Sequence, residues 1–138
     1  MNDHVDSPNY EGLDAWAVES SKVEKPWGYE LIWAHTERYC DKKLFVRAGH
    51  SLSLQFHNVK DETLYVESGR VEFTIGAVGT PFPNSEVVGP GRAFHVPPGT
   101  VHRMEALEDS VLLEVSTPDL DDVVRLEDSY VREGTSTA

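Results

Sequence analysis

Two stretches of this chain carry side chains of the kinds that hold metal ions. The first runs Gly49-His50-Ser51-Leu52-Ser53-Leu54-Gln55-Phe56-His57-Asn58-Val59-Lys60-Asp61-Glu62 and closes at Gly69. Gln55 and His57 are two apart, so on a strand they share a face. Glu62 follows a short loop, and a hairpin between the flanking strands brings it near His57. The second runs Gly91-Arg92-Ala93-Phe94-His95-Val96-Pro97-Pro98-Gly99-Thr100-Val101-His102. It reads strand, Pro/Gly turn, strand, with His102 opening the second strand. Two such hairpins facing into one barrel supply two imidazoles, one carboxylate and an amide oxygen. Nitrogen–oxygen sites of this kind take zinc, iron, manganese or nickel and leave positions open for water or substrate. On spacing alone the other reading also stands, that His57 and His102 are unrelated surface residues.

The elements that must position these groups are short and β-like. From Lys25 onward, runs at 29–34, 43–47, 52–57, 62–67, 71–75, 93–96, 102–106 and 111–116 are broken by Gly and Pro. No segment between Lys25 and Ser116 sustains a helical apolar period. Evenly spaced short strands with turn signals predict an all-β sandwich or barrel. Residues 1–21 read as a flexible N-terminal arm that Leu13, Trp16 and Val18 can pin to the body. Residues 22–132 read as a single domain. After Thr117-Pro118, the run Asp119-Leu120-Asp121-Asp122-Val123-Val124 predicts a short helix or irregular turn, with Asp119 as N-cap. Residues 133–138 read as a frayed end.

Composition fits one soluble domain. The 138 residues are 39% hydrophobic and 26% charged, and no apolar run is long enough to span a membrane. The acidic N-terminus lacks a signal-peptide layout, so a cytoplasmic protein is expected. The single cysteine, Cys40, excludes an internal disulfide framework and reads as a buried, inert thiol. Twelve Lys+Arg against 24 Asp+Glu give a net charge of −12. Such a surface repels nucleic acid and anionic lipid, and its plain reading is solubility. An anionic ligand then needs a local basic patch. Trp33, Phe45, Phe56, Tyr65, Phe73 and Phe94 read as core or sheet-interface residues.

The two stretches resemble the two motifs of the cupin superfamily. Gly49, Gln55, His57, Glu62 and Gly69 match the first, with Gln55 in place of its first His. Gly91, Pro97, Gly99 and His102 match the second. The resemblance implies a cupin double-stranded β-helix, a jelly-roll barrel. Further matches narrow it: Lys25-Pro26-Trp27-Gly28-Tyr29, Leu52 to His57, Val66 to Gly69, Val101 to Glu105, Leu113-Glu114-Val115 and Val124 to Tyr130. Over roughly residues 22–132 the chain is similar to the C-terminal cupin domain of type II mannose-6-phosphate isomerases, which are fused to a mannose-1-phosphate guanylyltransferase. That resemblance implies Gln55, His57, Glu62 and His102 as ligands of one divalent metal ion, Zn2+ first and Fe2+, Mn2+ or Ni2+ as alternatives. The chain departs from the family at Asn58, Val59 and Val131. The residues of this chain match no nucleotidyltransferase segment, so guanylyl transfer is not expected of them.

An aldose–ketose isomerase needs a metal to polarise the substrate, a base to shuttle a proton, and cations for the phosphate. Glu114 and His95 are candidate proton carriers. Lys60 and Arg103 flank the ligands, and Arg47 ends a strand beside the first motif; any of the three can bind an anionic group or simply be solvated. Glu114 sits in an otherwise apolar strand and faces either solvent or the cavity. The leading expectation is a non-redox isomerase acting on a sugar phosphate or a similar small polar or anionic metabolite. Alternatives are a zinc cupin of natural-product assembly, such as one forming N–N bonds, a metal-dependent oxygenase, and a non-catalytic metal- or metabolite-binding cupin. Sheet edges that must be covered predict a homodimer.

Overall fold

Alternating inward and outward residues decide which face each strand buries. In the computed structural model this pattern sorts the chain into two sheets and a short ladder. The structure describes residues 4–5, 12, 14–79 and 83–127. The strands are β1 (His4–Val5), β2 (Ala17–Val18), β3 (Ser21–Lys25), β4 (Gly28–His35), β5 (Cys40–Val46), β6 (Leu54–Phe56) and β7 (Glu62–Ser68). They continue with β8 (Val71–Ala77), β9 (Asn84–Val88), β10 (Ala93–Val96), β11 (Thr100–Ala106), β12 (Ser110–Ser116) and β13 (Val124–Glu127). One sheet runs β10-β7-β12-β5-β4-β3 and the other β13-β6-β11-β8-β9, and every pairing is antiparallel. This is the all-β jelly roll expected, with no helix among the described residues, hence none that could cross a membrane.

All eight expected strands form, within a few residues of their expected ends. Two expected hairpins do not. β6 and β7 lie in different sheets, and so do β10 and β11. Both motif loops are corners that carry the chain from one sheet to the other. The corners touch, because the Gly99 N–H donates to the His57 carbonyl at 2.8 Å. The C-terminal segment turns at residues 118–123 and then forms β13, so Asp119 caps no helix. The β-branched Val123-Val124 pair suits a strand, and β13 completes the free edge of β6 with Arg125 opposite Gln55.

The core lies between the sheets. Leu44, Val46, Leu64, Val66, Phe73 and Leu112 are all at most 2% exposed, and Phe73 stacks on Phe94 at 4.1 Å. Trp27 is fully buried. Two expected core aromatics are not core. Tyr65 is 42% exposed because it falls out of phase with Leu64 and Val66, and Trp33 is 50% exposed at a register shift between Ile32 and Ala34. Cys40 is buried, and burial raises its thiol pKa, as befits an inert cysteine. Gly69 turns the chain between β7 and β8 at φ 89°, where a Cβ would sit 2.2 Å from Ser110 Oγ, so both space and backbone require glycine.

In the expected N-terminal arm, Ala17–Val18 pairs with His4–Val5, and Val18 is half-exposed. Leu13, the matched residues Asp128 to Tyr130, Val131 and the expected frayed end at 133–138 lie outside the described residues.

Candidate metal centre

The inward phase of four strands builds one polar end of the barrel. Gln55 on β6 lies directly opposite His102 on β11. Glu62 opens β7, opposite Ser116 of β12. His57 follows β6 immediately and keeps the inward phase of Gln55. Gln55, His57, Glu62 and His102 are each at most 4% exposed and together line one cavity. Its free volume is about 10 Å³, room for one water or one ion.

The histidine tautomers follow from their partners. A carbonyl only accepts, so the ring nitrogen facing it must carry the proton. His57 Nδ1 donates to the Asp122 carbonyl at 2.5 Å, and His102 Nδ1 donates to the Thr100 carbonyl at 3.0 Å. Both rings therefore turn Nε2 inward. His102 Nε2 lies 3.0 Å and His57 Nε2 3.3 Å from the same atom, Glu62 Oε1. The ligating atoms of the three residues lie within 4.8 Å of one another. His57 Nε2 is buried and makes no well-angled hydrogen bond despite that short distance. Neutral imidazoles would aim lone pairs at a carboxylate, and that is repulsive. Either Nε2 takes a second proton or a cation sits between the groups, and two imidazoles with a carboxylate are a donor set that fits a divalent transition metal. Gln55 Oε1 accepts from Ser53 Oγ at 2.5 Å, which holds the amide in place.

Charges behind the ligands form a buried ladder. Lys60 Nζ lies 3.1 Å from Glu62 Oε2 and 3.1 Å from Glu114 Oε2. Lys42 Nζ lies 3.9 Å from Glu114 Oε2 and 3.5 Å from Glu30 Oε2, and Lys25 Nζ closes the row 3.9 Å from Glu30 Oε1. Burial pushes the Glu62 pKa up, but His102, His57 and the Lys60 ammonium more than reverse this and hold its carboxyl well below the ordinary range. Burial alone would lower the Lys60 pKa, yet Glu114 and Glu62 raise it above the ordinary lysine value. Lys60 is thus a fixed cation whose anion partners are Glu62 and Glu114, and a poor proton carrier.

The other expected site residues divide. Glu114 faces the cavity in phase with Leu112, and Arg103 reaches the cavity with Nη1 3.4 Å from Glu127 Oε1. His95 does not line the cavity. Its side chain is 62% exposed and pairs with Asp61 at 2.7 Å, because β10 turns it outward. Arg47 lies outside it as well, donating from Nη2 to the Pro26 carbonyl at 2.9 Å. Sequence reasoning passed over Lys42 and Asp122. Lys42 was visible in Cys40-Asp41-Lys42-Lys43-Leu44-Phe45-Val46, where it shares the phase of Cys40, Leu44 and Val46. Asp122 carries no pattern signal, since its partners lie more than sixty positions away. Lys42, Lys60 and Arg103 line the cavity beside Glu62 and Glu114, and each of the three cations is paired with a carboxylate.

Comparison with known proteins agrees with this geometry. The family model described as a cupin domain matches residues 44–116. A mannose-1-phosphate guanylyltransferase of Salmonella typhimurium, ManC, is 36% identical over 119 residues, covering 80% of this chain and 23% of the relative. The chain thus spans about a quarter of the length of the curated relatives it matches. Among solved structures, KdgF from Halomonas superposes with a TM-score of 0.62 at 27% identity, over 72% of this chain and 87% of that one. Oxalate decarboxylase from Bacillus subtilis superposes with a TM-score of 0.68 at 19% identity, over 78% of this chain and 30% of that one.

Proposed function

Because the chain belongs to the cupin family, we propose that it is a metal-dependent enzyme of non-redox, isomerase type acting on a sugar phosphate or a similar polar metabolite. The observation that carries this reading is the convergence of His57 and His102 Nε2 on Glu62 Oε1, with both Nδ1 protons committed to backbone carbonyls. Gln55, His57, Glu62 and His102 would hold the ion, with zinc the first candidate. Bound there, a divalent metal would polarise a carbonyl and its neighbouring hydroxyl. Arg103, a third exposed at the cavity, is the cation we assign to an anionic group, since Lys60 is already held between Glu62 and Glu114. Glu114 is the carboxylate at the cavity outside the ligand set, placed to hold or pass a proton. Similarity to a mannose-1-phosphate guanylyltransferase supports a sugar phosphate as the substrate class. The reading includes a homodimer, for which the exposed edge at β3 and the half-exposed Trp33 on β4 beside it speak.

A second reading rests on the cavity of about 10 Å³, which admits an ion but no sugar in this conformation. In that reading the protein holds a metal and turns nothing over. The deciding experiment is metal content by mass spectrometry on protein purified without added metal, beside His57→Ala and His102→Ala. Near one zinc per chain, lost in both variants, with metal-dependent aldose–ketose interconversion, supports the isomerase. Zinc without turnover on a panel of sugar phosphates supports the second reading. Stoichiometric iron with oxygen uptake, or no metal at all, overturns the isomerase.

A further inference from the structure

One residue of the turn between β12 and β13 reaches the centre through two different groups. The Asp122 carbonyl takes the Nδ1 proton of His57. Its carboxylate takes three consecutive backbone N–H groups of the loop after His57: Asn58 on Oδ1 at 3.0 Å, and Val59 and Lys60 on Oδ2 at 2.6 and 2.8 Å. Both segments cross between the same two sheets, the loop from β6 to β7 and the turn from β12 to β13, so Asp122 ties the turn to the corner that carries His57 and Lys60. Leu120 and Val123 of the same turn line the cavity. Within the turn, the Leu120, Asp122 and Val123 N–H groups bond to the Pro118, Asp119 and Asp121 carbonyls, so it is internally knit. The cavity has about 10 Å³ of free volume, room for an ion or a water.

We propose that Asp122 is a positioning residue for His57 and the latch of a lid, residues 118–123, over the metal centre. The carboxylate clasp sets the height of the Asp122 backbone, and the backbone carbonyl then sets the tautomer and plane of the His57 ring. Lifting the lid breaks both bonds together. Access to the centre and the orientation of one of its ligands are therefore coupled through a single residue. The lid half of this inference rests on the metal reading above; the His57 half does not.

The experiment uses the full chain and two variants, Asp122→Ala and Asp122→Asn. Long-range proton–nitrogen spectra of the metal-free protein read which nitrogens of each ring carry a proton. Wild type should show Nδ1 protonated and hydrogen-bonded in both His57 and His102, whether or not an Nε2 facing Glu62 also carries a proton. Asp122→Ala should move His57 to a tautomer mixture while His102, held by Thr100, stays as it was. An unchanged His57 in the folded variants overturns the positioning role. On zinc-loaded protein, stripping by a chromophoric chelator should run roughly tenfold faster in Asp122→Ala, in the range removal of a ligand's orienting partner produces. Equal stripping rates overturn the latch. Asp122→Asn keeps one acceptor oxygen of two, should fall between, and decides both arms if the alanine variant does not fold. Wild type that takes up no zinc overturns the metal reading and with it the latch, and the tautomer arm still decides the positioning role.

Discussion

Glu114 and Lys60 stand 54 residues apart in sequence and 3.1 Å apart inside the barrel. Neither is a surface group that folded inward by accident. Lys60 also reaches Glu62 at 3.1 Å, so one ammonium holds a carboxylate aimed at the centre and another lining the cavity. With one oxygen on Lys60 and the other facing both imidazoles, Glu62 offers a single oxygen, Oε1, to the centre.

Replacing this ammonium by an apolar group of similar length tests the arrangement. Lys60→Met leaves Glu62 without its ammonium and Glu114 with only Lys42 at 3.9 Å. Removing one partner of a buried pair costs about 3–5 kcal/mol, because the remaining charge stays buried. Urea unfolding of the metal-free protein should show a loss of that size, and Lys60→Arg, which keeps the charge, should lose less. A loss under about 1 kcal/mol in Lys60→Met would mean that water replaces the lysine.

The shifted groups set a pH window. The Glu62 pKa lies below its ordinary value of 4.5 in the folded chain, so its contribution is complete above 4.5. It fades as pH falls through the folded value. The Lys60 pKa lies above its ordinary 10.5, so its contribution is complete below 10.5 and fades only as pH rises through the folded value. Between about pH 5 and 10 the pair adds a constant stability. Urea midpoints of the metal-free protein should fall more steeply below about pH 4.5 in wild type than in Glu62→Gln. Parallel slopes would remove Glu62 as a source of acid sensitivity.

Much of this centre was legible in the sequence because strands repeat every two residues and loops announce themselves. Gln55 and His57 share a phase, Glu62 opens a strand, His102 lies just inside one, and Gly69 and Gly99 mark the turns. Pairing across the barrel was not legible. A short loop after His57 looks the same whether the next strand pairs with β6 or crosses to the other sheet, and here it crosses. His95 sits beside the second motif in sequence, yet alternation along β10 sends it to solvent. Glu114 had two possible faces, and only the phase of Leu112 and Ser116 in the folded sheet selects the inner one. Asp122 was hidden most completely, because it acts through a carbonyl that every residue has and through N–H groups far away in the chain.

The far end of the ladder makes the last test. Lys42 and Glu30 are 2% and 1% exposed and 3.5 Å apart. Lys42 touches none of the proposed ligands, so its effect on the centre must pass through Glu114. Lys42→Met alone leaves Glu30 with Lys25 at 3.9 Å, and Glu30→Leu alone leaves Lys42 with Glu114 at 3.9 Å. Each single variant should be clearly destabilised. The double variant removes both members, and apolar replacement of a buried pair is often close to neutral. The cycle should therefore close with a favourable coupling of about 1–3 kcal/mol, the range for residues in one network. Zinc affinity should change little in either variant, whereas turnover should fall with Lys42→Met, since Glu114 then keeps only one of its two ammonium partners. Zero coupling would mean that the two charges are satisfied separately. A loss of zinc affinity as large as that of His102→Ala would mean that the ladder supports the ligands directly rather than the carboxylate beside them.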